Sequence, residues 1–229
     1  HKIVFTGKFS KGLKKQNSVN KLLEIIDKNN LLKNKKFYIK IVKNIPQESG
    51  MGGGSMNASS IINFLVRKKF LKLAKKKLQA ISNLVGSDVI LGVNQSNKYI
   101  NDKHNLIKIM NKTGLNLVIT KPNFGCSTKS IYTNLKLNNN VKTSKKFTNN
   151  NLGFVKLKND LEIPAFKKYP KLKKLKLYLS NLPNVYFVRM TGSGSSIIAY
   201  FLSKKDALNA QKSIKKKYKN YWCIISKTI

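Results

Sequence analysis

Hydrophobic positions recur along the chain with two different periods, and each period predicts an element. KIVFT, residues 2–6, and FYIKIVKNIP, residues 37–46, are short apolar-rich runs; the second alternates apolar with basic and ends at Pro46, and both predict strands. Between them Val19, Leu22, Leu23, Ile25 and Ile26 follow a helical spacing, with Asn17 or Ser18 as the N-cap. Residues 58–66 predict the start of a second helix, and 70–84 predict a third. VGSDVILGV, residues 85–93, reads as a turn followed by a strand, and NLVITKP, residues 116–122, as a buried strand. Residues 136–151 are polar and Asn/Lys-rich and predict a loop. A helix over 170–182, then strand, glycine turn and strand over 185–201, a helix over 206–217 and a last strand complete the pattern. Strands and helices mix without a regular βαβ rhythm and without an internal repeat, which predicts an α+β fold.

Composition changes this picture in one respect. Of 229 residues, 46 are Lys or Arg and only 8 are Asp or Glu, a net charge of +38. Such a balance suggests a nucleic-acid-binding protein. Yet only Arg67 and Arg189 are arginine, and the lysines are spread over the whole chain among Asn and Ile. Base readers and phosphate clamps favour the planar guanidinium, so the charge reads better as composition bias and solvated surface. The same field would recruit anionic small molecules such as nucleotides. Hydrophobic residues, at 41%, suffice for a core, and no run of 18 apolar residues predicts a membrane helix. Cys126 and Cys223 form no CxxC or Cys/His cluster, so no zinc site is expected. Reduced thiols in a cytoplasmic protein suit them best, with a disulfide as the alternative. The chain opens on His1, as expected of a fragment or a trimmed product.

The sharpest local feature is PQESGMGGGSMN, residues 46–57, between a predicted strand and a predicted helix. Gly50, Gly52, Gly53 and Gly54 allow positive φ and close approach of a ligand to the backbone. Successive N–H groups there can form an anion nest, and the helix after Ser55 would aim its N-terminus at the same place. No Lys follows the glycines, so this is not a Walker A loop, and Ser55 breaks GxGxxG. The reading is a phosphate loop; a flexible linker is a poorer fit between an apolar strand and an apolar helix.

This segment resembles the GHMP kinases, whose loop runs P-x-x-x-G-L-G-G-G-S-S-N/D-A-A. The frame holds over residues 46–59, with Met51 for Leu, Met56 for the second Ser and Ser59 for the second Ala. Gly86-Ser-Asp-Val89 matches the family's G-[AS]-D-V, and Met190-Thr-Gly-Ser-Gly194 matches its third, glycine-rich motif. Ser127-Thr128, Tyr132 and Asn159-Asp-Leu-Glu162 further resemble the branch whose acceptor is a cytidine-diphosphate-linked polyol. The resemblance implies a two-lobed fold, with a ribosomal-protein-like amino-terminal lobe over 1–113 and a GHMP carboxy-terminal lobe over 114–229. It implies ATP with Mg²⁺ as co-substrate and the cytidine-diphosphate-linked polyol as acceptor, in a monomer or homodimer. The family's P-A-K-x-N and G-[YF]-H segments, with its catalytic Lys, are expected upstream of His1.

The same resemblance assigns roles. Gly50, Gly52, Gly53, Gly54, Ser55 and Asn57 would hold the ATP phosphates; Met56 brings no hydroxyl to them. Asp88 would orient the acceptor hydroxyl and take its proton. Thr128, Tyr132, Gly192, Ser193 and Gly194 would meet the acceptor, Tyr132 by stacking on cytosine. Simpler readings stand beside these: a core Tyr132, a hairpin at 192–194 that braces the site, and Asp160 with Glu162 as a helix-capping pair. His104, in a polar stretch, reads as a solvated loop residue. Other acceptors, of homoserine or mevalonate type, remain alternatives, as does the nucleic-acid reading.

Overall fold

The computed structural model describes residues 1–13, 16–93, 98–100, 106–108, 114–135, 155 and 157–228. His104 and the predicted loop at 136–151 lie outside them. The chain divides into two compact units, His1–Ile45 with Gly52–Lys108, and Pro46–Met51 with Ile109–Ile229.

In the first unit, β1 (Lys2–Thr6) and β2 (Tyr38–Val42) pair in parallel, with Ile3 opposite Ile39. Parallel neighbours need a crossover, and α1 (Ser18–Lys28) supplies it. Asn17 caps α1, its side-chain oxygen accepting from the N–H groups of Val19 and Asn20. The apolar stripe of α1 is fully buried at Leu22 and Ile26, against Ala58 and Ile62 of α2 (Gly53–Arg67) and Ile81 and Val85 of α3 (Lys75–Val85).

Two expectations change here. The helix predicted from residue 70 starts at Lys75, because Lys69 takes φ +59° and the N–H groups of Phe70 and Leu71 both turn back to the Leu65 carbonyl. These contacts close α2 and force a break. Residues 89–92, predicted as strand, form α4 (Val89–Gly92). Turn bonds from Val89 to Gly86 and from Leu91 to Asp88 set that course, and a four-residue apolar run carries no period to distinguish the two. Asp88 therefore opens a helical turn rather than a strand. A short antiparallel pair follows, β3 (Lys98–Ile100) with β4 (Leu106–Lys108).

The second unit is built on a four-stranded antiparallel sheet in the order β6 (Phe187–Met190), β7 (Ile197–Phe201), β5 (Asn116–Lys121), β8 (Trp222–Lys227). On one face Val118, Ala199 and Phe201 share a core with α7 (Pro170–Ser180) and α8 (Lys204–Lys217), through Leu172, Leu175, Leu179 and Ile214. On the other face Leu117 and Ile119 pack with Ile198 and Met51. Helix α8 begins two residues before its predicted start because the Ser203 hydroxyl accepts from the N–H groups of Lys205 and Asp206.

Two short helices, α5 (Thr128–Thr133) and α6 (Glu162–Lys168), had no sequence signal. Pro164 lies in the first turn of α6, where a missing N–H costs no hydrogen bond. No side chain caps α6, so Asp160 and Glu162 are not the capping pair that their spacing suggested. Cys126 and Cys223 are buried free thiols, not a disulfide. Among the described residues no helix is long and apolar enough to cross a membrane.

Candidate active site

The glycine-rich segment contributes to both units, and each part has its own geometry. In the first unit Gly52 is the N-cap of α2, at φ +62° and ψ 19°, and no side chain caps the helix. The first bond of α2 runs from the Met56 N–H to the Gly52 carbonyl, at 2.9 Å. The N–H groups of Gly53, Gly54 and Ser55 therefore precede the helical ladder and point outward from its positive end. The helix starts two residues before Ser55, so Gly53 and Gly54 are helical and do not take the positive φ expected of them. Gly54 instead allows close packing, since a Cβ there would stand 3.1 Å from the Ser18 hydroxyl.

A group not anticipated from the sequence completes this end. Nζ of Lys43 lies 3.9 Å from where a Cβ on Gly53 would stand. The ammonium is half-buried, and burial lowers its pKa. A desolvated cation beside an uncapped helix start favours an anion as its third partner. A signal did exist: Ile39 and Ile41 face inward on β2, and continued alternation puts Lys43 on that face.

Asp88 is exposed on the turn before α4, and one carboxylate oxygen lies 3.7 Å from where a Cβ on Gly52 would stand. The Ser87 hydroxyl donates to its other oxygen at 3.2 Å. Ser55 stands beside the same turn, its hydroxyl 3.7 Å from the Cβ position of Gly86. Helix α4 approaches α2 so closely that a Cβ on Gly92 would come within 2.2 Å of the Ser59 hydroxyl. The Met56 sulfur lies 3.0 Å from that same position, so the residue that replaces a loop Ser packs on α4. Asn57 lines a cavity of about 500 Å³ with Leu23, Ile39, Ile41 and Phe64.

In the second unit Gly50 takes φ +69°, and a Cβ on it would lie 2.1 Å from the Thr191 carbonyl oxygen. The Thr191 hydroxyl donates to the Gly50 carbonyl at 3.0 Å. The N–H groups of Ser195 and Ser196 donate to the carbonyls of Glu48 and Ser49, both at 3.2 Å. Gly192 and Gly194 take φ +50° and +87°, and buried Ser193 shares a hydrogen bond of 2.9 Å with the Thr128 hydroxyl. The second glycine turn thus braces the start of the glycine-rich segment and the start of α5. Tyr132, one turn further along α5, is 57% exposed and is not a core residue.

The structure accordingly gathers Gly52, Gly53, Gly54, Ser55 and Asp88 in one unit, and Gly50, Thr128, Gly192, Ser193 and Gly194 in the other. Together with Lys43, the first set offers backbone donors, a cation and a carboxylate, which are the elements for holding a phosphate and orienting a hydroxyl.

Comparison with known proteins agrees with this chemistry. Residues 17–100 match the GHMP kinases N terminal domain and residues 132–220 match GHMP kinases C terminal. The chain is 50% identical, over its whole length and 82% of the relative, to a 4-diphosphocytidyl-2-C-methyl-D-erythritol kinase of Pelagibacter ubique. A kinase of the same name from Petrotoga mobilis is 32% identical over 79% of the chain and 74% of the relative. Among solved structures, a 4-(cytidine 5'-diphospho)-2C-methyl-D-erythritol kinase superposes with a TM-score of 0.73 at 19% identity, over 100% of this chain and 82% of that one. A homoserine kinase from Cytophaga hutchinsonii follows at 0.62 and 17%, over 100% and 81%.

Proposed function

The chain belongs to the GHMP kinase family, and on that premise we propose that it transfers the γ-phosphate of ATP to the 2-hydroxyl of 4-diphosphocytidyl-2-C-methyl-D-erythritol, in isoprenoid biosynthesis. The observation that carries this reading is the 50% identity, across the whole chain, to a kinase with that acceptor in its name.

The residues divide the work. The free N–H groups at the start of α2 receive the nucleotide phosphates, and Lys43 meets their charge. Phosphoryl transfer demands positioning and charge neutralisation more than covalent chemistry, and a helix start supplies both without reorganising. Asp88 holds the acceptor hydroxyl and takes its proton as the new P–O bond forms. Thr128, Ser193 and the glycines beside it contact the acceptor, and Tyr132 offers an exposed ring to the cytosine. Among the described residues no three His, Cys, Asp or Glu side chains could hold a metal by themselves. Mg²⁺ characteristically takes few protein ligands beside phosphate oxygens and water, and the Ser55 hydroxyl fits that part. When bound, it would neutralise charge on the β- and γ-phosphates. The excess of lysine recruits both anionic substrates, in a cytoplasmic enzyme whose lobes span 1–113 and 114–229.

The test is an ATP-consumption assay on the protein from its full reading frame, with the cytidine-linked methylerythritol, homoserine and mevalonate as separate acceptors. Turnover with the first alone is expected. Turnover with either of the others would overturn the acceptor, and absence of ATP binding would overturn the kinase reading.

A further inference from the structure

The side-chain bonds of Asn159 and Glu162 converge on a single turn. The Asn159 amide donates both of its hydrogens, one to the Met190 carbonyl and one to the Gly192 carbonyl, each at 2.8 Å. Its own oxygen accepts from the Leu161 N–H at 3.1 Å, which fixes the orientation of the amide. One Glu162 oxygen accepts from the Met190 N–H at 2.8 Å, and the other is ion-paired with Lys176. The segment 190–192 is therefore held from outside at three backbone atoms. Between them stands Thr191, whose hydroxyl holds Gly50 and whose carbonyl lies where a side chain on Gly50 would be.

We propose that Asn159 is a positioning residue for ATP. Through the 190–192 turn and Thr191 it holds Gly50 in its left-handed conformation, and thereby sets the course of the phosphate loop without touching nucleotide. The physical reason is specificity of donors. Two carbonyl oxygens converge on one NH₂ group, and no other side chain of that size supplies two hydrogens in that fork while accepting from a third atom. Supporting groups of this kind control how closely a site keeps its productive geometry. The inference rests on the loop's being the ATP site, as proposed above.

The experiment compares wild type with Asn159→Asp, which keeps the shape and the bond from Leu161 but turns an oxygen towards the two carbonyls. KM for ATP, KM for the acceptor and kcat are measured well below the melting temperature. KM for ATP is expected to rise by about tenfold or more, with a smaller change in acceptor KM. Mere loss of folded protein would lower kcat and leave both KM values in place. Asn159→Ala, which removes the donors without adding charge, is read in the same way if the aspartate variant does not fold. Thr191→Ser, which keeps the hydroxyl, should retain wild-type ATP affinity, and Thr191→Val should lose it. An unchanged KM for ATP in the Asn159 variants, or a rise confined to the acceptor, overturns the positioning role while the kinase reading stands. Failure of wild type to bind ATP overturns the kinase reading itself.

Discussion

The Asp88 carboxylate lies 3.7 Å from the point where a side chain on Gly52 would begin, at the cap of the helix whose free N–H groups face outward. The turn that opens the four-residue helix α4 thus sets a carboxylate beside the start of α2, across from the Lys43 ammonium near Gly53. Asp88→Asn keeps the shape and the bond from Ser87 but removes the base. It should lower kcat by ~10² or more while ATP affinity changes by less than about twofold, as general-base magnitudes imply. Steady-state kinetics with separate ATP titration checks this; an equal loss of ATP affinity would make Asp88 structural.

Gly50 and Gly53 should respond differently to the same methyl group. Gly50→Ala meets the Thr191 carbonyl oxygen at 2.1 Å and adds a left-handed penalty of about 1–2 kcal/mol, so both melting temperature and ATP affinity should fall. Gly53→Ala has helical φ and no closer neighbour than Lys43 Nζ, at 3.9 Å. Its stability should hold or rise, by up to about 1 kcal/mol of helix propensity, while ATP affinity falls roughly tenfold because the methyl occupies space beside Lys43. Calorimetry with ATP titration separates the two effects. Unchanged ATP affinity in Gly53→Ala would mean that the helix start does not hold phosphate.

The contact of α4 with α2 depends on Gly92. A Cβ there would lie 2.2 Å from Oγ and 2.9 Å from Cβ of Ser59, so Gly92→Ala should destabilise the protein by about 1–3 kcal/mol. Ser59→Gly in the same chain should restore most of that loss. Urea unfolding of the single and double variants gives the comparison, and simple additivity would show that the two residues do not meet.

Burial pushes the Cys126 thiol up to about 11, from an ordinary value of 9.0. The unfolded chain therefore releases this proton first as pH rises, and the native state binds more protons between those values. The thiol's contribution to stability is complete below pH 9 and is lost as pH rises towards 11. The stability difference between wild type and Cys126→Ala should accordingly shrink between pH 8 and pH 10.5, measured as urea midpoints. A constant difference would contradict the burial effect.

Much of the fold was legible because long elements repeat their period: α1, β5, α7, and the strands on either side of the second glycine turn. The motif singles out Asp88, but its local structure is not legible, since VILG carries too few residues to separate strand from helix. The loop glycines stand out in the sequence, but their separate conformations do not. Gly50 and Gly52 need left-handed backbone, whereas Gly53 and Gly54 are helical, and only the position of the helix start distinguishes them. Lys43 belongs to no motif, although a Lys on the apolar side of an alternating strand is a visible anomaly. The bonds from Asn159 to residues 190 and 192 cross about thirty positions of sequence, and no local pattern encodes such contacts.

The most direct measurement of the central claim is ³¹P NMR of the reaction mixture of ATP, Mg²⁺ and 4-diphosphocytidyl-2-C-methyl-D-erythritol with the protein. A new phosphomonoester signal coupled to the 2-position of the methylerythritol, growing in step with ADP and leaving the diphosphate bridge intact, is the predicted result. ADP formation with inorganic phosphate alone, or a phosphate attached elsewhere on the acceptor, would contradict it.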